Sequence, residues 1–440
     1  MADYGGSQHG IARTSRAQAQ TADQRKLELD RIEKYRDLEN QVRSYHAQGD
    51  YSPDVFQLTT RLLRLNPEYY TIWNVRRRSL ISGLLSKPSH GSAPSRASQS
   101  SSPSPNITPS SANLSPSSSV AIQPSREVPT VGRTGTTADS CDSASPIKEH
   151  GEESTENEQQ QQQQDLDLLI SELRFTIPLL LEAPKCYWIW SHRSWVLQEA
   201  IGRLQRAAAR RIWEEELGLV SKMLFKDRRN FHAWGYRRHV VDQLEGPTLG
   251  GISRVESEFE YTTQMIETDL SNFSAWHGRS KLIPRMLDER GADDEDRKAF
   301  LDEELGMINE ALNVGPEDQS LWYYHQFLML NLVSFVGRAT IVPKFNLEER
   351  ITYMSREIEG IKELLEDYNN IKLIYEALLD YTIMLCQLEE RQPDASERAD
   401  LVVWLQKLRE LDPMRNGRWS DVARDYGLQE KITTPAAIKV

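Results

Sequence analysis

Apolar residues along this chain recur every three or four positions, the spacing of one buried helix face, and no strand-like alternation competes with it. Residues 24–47 carry Leu27, Ile32, Tyr35, Leu38 and Val42 at that spacing, with no glycine or proline among them. Ser52 and Pro53 then read as the N-cap and first position of a second helix, whose body starts at Val55 and which stops before Asn66-Pro67. Further on, six amphipathic segments at 165–181, 207–225, 252–268, 296–312, 347–366 and 396–411 open successive helical hairpins. The pattern predicts an all-α chain in which first and second helices alternate.

The second helices share a motif. DRRNFHAWGYRRHVV (227–241) holds Trp234 and, three residues on, Arg237. Trp73 and Arg76, Trp190 and Arg193, and Trp276 and Arg279 repeat it, and Trp322 has His325 at the arginine place. A decayed copy holds Trp419 with Val422, and a copy without tryptophan is expected near 367–378. Trp190, Trp234, Trp276 and Trp322 lie 44, 42 and 46 residues apart, while Trp73 and Trp190 are separated by 117. Without residues 87–164 that last spacing falls to 39. A fixed motif at a fixed period marks a repeat fold, and the count is about seven units.

Trp at i, Arg at i+3 and an apolar residue at i+7 share one helix face. The tryptophans are therefore expected to fill the gaps between stacked hairpins. Each arginine is expected either to satisfy carbonyls at a neighbouring helix end or to pair with a carboxylate. Asn66, Asp227, Asp269 and Asp412, seven residues before a tryptophan, suit the turn and cap.

Residues 1–22 are small and polar and are expected to be disordered. So is the stretch 87–164, which is Ser/Pro-rich and then acidic and Gln-rich, because it cannot bury enough apolar area to offset its ordering entropy. It lies between two repeats, so residues 23–86 and 165–440 form one continuous solenoid with a loop insertion. The expected architecture is a right-handed α-α superhelix of hairpins.

The formal charge of −12 argues against a nucleic-acid partner, which calls for a basic surface. No apolar run reaches the length of a membrane span, and the first residues lack the apolar core of a signal peptide, so a cytoplasmic location is expected. Cys141, Cys186 and Cys386 are isolated, which predicts neither a disulfide framework nor a cysteine-based metal site.

The unit Asn-aromatic-x-x-Trp-x-x-Arg at a period just above 40 resembles the alpha subunits of protein prenyltransferases, and among them the type II branch. NPEYYTIWNVRRRSL, DRRNFHAWGYRRHVV and LSNFSAWHGRSKLIP carry the likeness, which covers about residues 24–426 apart from the insertion. The resemblance implies one half of a heterodimer with a beta subunit. The pair would move geranylgeranyl from geranylgeranyl diphosphate to C-terminal cysteines of Rab GTPases presented by an escort protein. It also implies that a catalytic zinc belongs to the beta subunit, with no metal or other cofactor held by this chain. Animal relatives carry further immunoglobulin-like and leucine-rich domains, so the present chain resembles a short form. The rival readings are the alpha subunit shared by farnesyltransferase and the type I enzyme, and a non-enzymatic helical scaffold.

No self-sufficient catalytic motif is visible. Asp293-Asp294-Glu295-Asp296 invites comparison with DDxxD, but Arg297 holds the fifth place, and an acidic solvated loop is the better reading. Lys185, five residues before Trp190, matches the position at which the resemblance places a lysine beside the lipid diphosphate; read alone, it is equally an ordinary solvated lysine. By the same resemblance Tyr187 and His232 line the shared cavity, although His232 also reads as a structural histidine. Trp188 stands where the farnesyl and type I family places a Gln that binds a peptide carboxylate. An indole has one donor and no acceptor, and copies that contact poorly. The plainer reading is that Trp188 packs between hairpins.

Overall fold

A computed structural model describes residues 22–87, 150–333 and 339–428. After α1 (Ala22–Ala47), seven helical hairpins follow in order. They are α2 (Pro53–Leu65) with α3 (Tyr70–Ser79), α4 (His150–Glu182) with α5 (Tyr187–Arg203), and α6 (Arg206–Lys226) with α7 (Phe231–Glu245). Then come α8 (Val255–Thr268) with α9 (Phe273–Glu289), α10 (Asp294–Val314) with α11 (Gln319–Leu330), α12 (Leu347–Asp367) with α13 (Lys372–Leu388), and α14 (Ala395–Leu411) with α15 (Asn416–Asp425). Contacts run within each hairpin and onto the neighbouring ones, so one apolar core extends along the stack. Among the described residues there is no strand, and no helix is long and apolar enough to cross a membrane.

Six of the seven hairpins close in the same way, while in the last Trp419 donates to the Asp412 carbonyl seven residues earlier at 3.3 Å. The indole N–H of Trp73, Trp190, Trp234, Trp276 and Trp322 donates to the carbonyl six residues earlier, at 2.7–2.9 Å. In the unit without tryptophan, the Tyr375 hydroxyl makes the same bond to the Asn369 carbonyl at 2.7 Å. Tyr375 therefore takes the tryptophan place, and Leu378 the arginine place, in the unit expected near 367–378.

The arginines settle on carboxylates. Arg76 clasps Glu172 with Nε and Nη2 at 2.8 and 2.6 Å, and Arg193 clasps Glu216 at 2.7 and 2.5 Å. Arg237 clasps Glu258 at 2.8 and 2.6 Å, Arg279 clasps Glu304, and His325 reaches Glu357 at 3.3 Å. Every one of these glutamates sits on the first helix of the next hairpin. The remaining nitrogen, Nη1, turns back to the first helix of its own hairpin, bonding Thr59 and Thr60, Thr176, Ser221 and Thr263 respectively. One guanidinium thus ties three helices together, and its planar fork is the side chain suited to such bidentate pairing.

Several expectations need correction. The expected irregular stretches 1–22 and 87–164 mostly lie outside the described residues, and so does Cys141. However, α1 already includes Ala22, and α4 starts at His150, so residues 150–164 are helical rather than disordered. Glutamate and glutamine favour helix, and the packed half of α4 supplies the nucleus from which these residues extend. Asp165, buried in α4, accepts from the Ser86 backbone N–H at 3.0 Å, so the two sides of the insertion meet at a hydrogen bond. Leu27 and Ile32 are exposed in α1, whose packing begins only at Tyr35, Leu38 and Val42. Ser52 holds the N-cap position, but its side chain makes no cap bond. Asn66, Asp227, Asp269 and Asp412 close first helices at their C-caps. Capping of second helices falls to Asn230, Asn272 and Asp318. The acidic run at 293–296 is the start of α10, with Asp293 and Asp296 forming a capping box, a stabilising place for negative charge.

Candidate functional site: an aromatic and cationic face at the helix starts

Four residues singled out in the sequence, Lys185, Tyr187, Trp188 and His232, come together where α5 and α7 begin. The residue three before each repeat tryptophan starts its second helix and points outward, so Tyr70, Tyr187, Phe231 and Phe273 are all more than half exposed. The rings of Tyr70, Tyr187 and Phe231, with Trp188 and His232 between them, form a nearly continuous band. Tyr70 lies 5.3 Å from Trp188, Tyr187 lies 5.2 Å from Trp188 edge-on and 6.4 Å from His232, and His232 lies 3.9 Å from Phe231. An exposed aromatic band of this extent marks an interaction surface.

Lys185 stands in the α4–α5 turn with its side chain 61% exposed, and its ammonium lies 3.8 Å from Asp227 Oδ2. That separation is a loose ion pair, which leaves the amine available to another anion. Partial burial holds the His232 imidazole below its ordinary pKa, and Lys185 pushes the same way while Glu68 opposes it. The shift favours the neutral imidazole, which can donate or accept a hydrogen bond. Trp188 is half-buried between Tyr70 and Tyr187, so it packs and also faces the band. Cys186, between Lys185 and Tyr187, is buried, its Sγ lies 3.4 Å from the Pro67 carbonyl, and burial raises its thiol pKa. It is packing, not a nucleophile.

Arg77, one position past a repeat arginine, escaped the sequence reading. It is half-buried behind Tyr187, with Nε 3.4 Å from His192 Nδ1 and Nη2 3.2 Å from Ser191 Oγ. The run of three arginines in WNVRRRSL was the available signal, since a single helix face accommodates only one of them. His192 Nε2 lies 3.1 Å from Glu172, which makes that nitrogen the donor and leaves Nδ1 to accept from Arg77. Among the described residues, no three His, Cys, Asp or Glu side chains are grouped to hold a metal.

His192 carries a pH-dependent signature. Burial pushes its pKa down to about 4, against the opposing pull of Glu172. Between that value and the unfolded value of about 6.5, the unfolded chain binds the extra proton, so stability falls as pH drops through this window. His192→Tyr imitates Tyr236 and Tyr324 at the matching positions and removes the titration. Urea melts at pH 7 and pH 5 are expected to show a larger loss for the wild-type chain than for the variant, and equal losses would rule out the neutral buried imidazole.

Seven stacked hairpins, with a Trp-Arg-Glu clamp at the first four junctions and a cationic-aromatic face at the starts of the second helices, define a helical-repeat subunit that presents a binding face. The model of the protein prenyltransferase alpha subunit repeat matches residues 52–80, 169–200, 213–244, 255–286 and 301–332. A Schizosaccharomyces pombe geranylgeranyl transferase type-2 subunit alpha is 31% identical, over 96% of this chain and 98% of its own. The Candida albicans protein of the same description is 28% identical over 94% and 97%. The Homo sapiens one is 35% identical over 37% of this chain and 26% of its own length. The solved structure of Candida albicans protein geranylgeranyltransferase-I complexed with GGPP shares the fold, with a TM-score of 0.50 at 15% identity over 90% of this chain and 91% of that one. The chain belongs to the protein prenyltransferase alpha-subunit family, in its type-2 geranylgeranyl transferase branch.

Proposed function

We propose that this chain is the alpha half of a cytoplasmic heterodimer that transfers geranylgeranyl from geranylgeranyl diphosphate to C-terminal cysteines of Rab GTPases delivered by an escort protein. The observation that carries the reading is the exposed, loosely paired Lys185 beside Tyr187, Trp188 and His232 on the aromatic band. The reaction forms a C–S bond between the cysteine thiolate and the allylic carbon, while the C–O bond to the diphosphate breaks. A zinc ion on the beta subunit supplies thiolate activation. Charge builds on the departing diphosphate, and an ammonium held at its edge stabilises that charge. Lys185 fills this role, and His232 and Tyr187 shape the rim.

With the beta subunit bound, Lys185→Ala is expected to lower turnover by one to two orders of magnitude, roughly 1.4–2.7 kcal/mol, with a smaller change in lipid affinity. Unchanged single-turnover rates would remove Lys185 from the chemistry. Trp188 favours the type II reading over the shared alpha subunit, because its ring occupies the space between Tyr70 and Tyr187. The heterodimer should therefore leave a free Cys-terminated tetrapeptide largely unmodified and act on a Rab protein only with escort protein present. Rapid prenylation of the tetrapeptide alone would transfer the assignment to the shared alpha subunit.

A further inference from the structure

The Trp-Arg-Glu clamp has a fourth member at three hairpin junctions. It is the ring two residues after the tryptophan of the following hairpin, and it meets both the preceding tryptophan and the clamp glutamate. His192 lies 4.6 Å from the Trp73 ring and bonds Glu172. Tyr236 lies 5.0 Å from Trp190 and bonds Glu216. Tyr324 lies 4.5 Å from Trp276 and bonds Glu304. At the junction of α7, α8 and α9 the same position is Gly278. There Trp234 has no ring from the next hairpin's second helix, and Glu258 accepts only from Arg237 among the described residues.

The missing ring leaves a cavity of about 300 Å³ lined by Trp234, Arg237, Val241, Glu258, Thr262 and Gly278, with Arg238 and Lys281 nearer its mouth. Glu258 is 8% exposed, against 2–3% for Glu172, Glu216 and Glu304. Each Glu258 oxygen takes one N–H from Arg237 and keeps a lone pair. An apolar cavity of about 150 Å³ is already enough to admit benzene. The space is therefore large enough for one ring and carries the acceptor that the other junctions use.

We propose that this cavity is a binding site for a phenol, with its ring against Trp234 and its hydroxyl donating to Glu258. The phenol comes either from a free small molecule or from a tyrosine side chain of a partner protein. It completes the junction as Tyr236 and Tyr324 complete theirs.

The probe is 4-fluorophenol, followed by fluorine NMR on the full chain, with 4-fluorotoluene as the ring without a donor. Saturable binding of 4-fluorophenol, about tenfold tighter than 4-fluorotoluene, is expected, because only the phenol satisfies Glu258. Gly278→Tyr should abolish it. A Cβ at Gly278 would stand 3.3 Å from Thr262 Cγ2. Val220 and Ile308 hold the Thr262 place beside Tyr236 and Tyr324, so the fold tolerates that crowding elsewhere. If the single variant folds poorly, Gly278→Tyr with Thr262→Ser removes the methyl. Repeating the titration on the heterodimer separates the sources: retained binding assigns the site to a free phenol, and lost binding assigns it to a partner side chain. Absence of saturable 4-fluorophenol binding to the free chain, or equal affinity for the two probes, overturns the proposal.

Discussion

Glu216→Ala is expected to destabilise the fold by about 3–5 kcal/mol, the cost of leaving a buried charge without its partner. Arg193 and Glu216 are both almost fully buried, and the carboxylate also accepts from the Tyr236 hydroxyl at 2.8 Å. Removing it strands a guanidinium and a phenol in the apolar layer between α5, α6 and α7. Burial opposes the charge on Arg193, and the Glu216 carboxylate offsets it through its charge and hydrogen bonds. Without Glu216 that offset is lost, while the intrinsic basicity of a guanidinium keeps it from escaping by losing its proton. The double replacement Arg193→Met with Glu216→Leu is expected to cost clearly less than Glu216→Ala, since it removes both desolvated groups together. Urea melts of the three proteins check this, and a double variant less stable than Glu216→Ala would show that the pair contributes more than its mutual compensation.

Trp276→Ala is the second large effect, at about 3–5 kcal/mol for a buried large aromatic. The indole is 1% exposed, faces the Tyr324 ring at 4.5 Å and donates to the Leu270 carbonyl at 2.7 Å. It therefore joins the turn of its own hairpin to the next hairpin. Trp276→Phe keeps most of the packing and loses the N–H, so about 1–3 kcal/mol is expected for the orphaned carbonyl and the reduced volume. If both variants melted within about 0.5 kcal/mol of the parent, the tryptophan would not be the element that sets the repeat.

Much of this architecture was legible before any coordinates. Helix positions follow from apolar spacing because every turn must present the same face to the core, and that is a property of neighbouring residues. The recurring tryptophan disclosed the period because its bond to the carbonyl six residues earlier is closed within one hairpin. Lys185, Tyr187, Trp188 and His232 were singled out through the family resemblance, which is anchored on that tryptophan, and all four come together on one face.

Other features were decided only in three dimensions. The partners of Arg76, Arg193, Arg237 and Arg279 lie 96, 23, 21 and 25 residues downstream, so no constant offset announces them. A clue was present, since Glu258 lies on the same stripe as Val255 and Thr262, and a carboxylate on an apolar stripe must find a partner. Which cation would supply it depended on how the hairpins stack. The helical reach back to His150 was equally hidden, because Gln-rich composition permits both disorder and helix, and the packed half of α4 decides between them. In the sequence nothing sets Gly278 apart from the other glycines. It became a vacancy only beside Tyr236 and Tyr324, whose rings fill the same place at neighbouring junctions. Periodicity is local and survives in a sequence, whereas pairing and voids arise between segments that only the tertiary fold brings together.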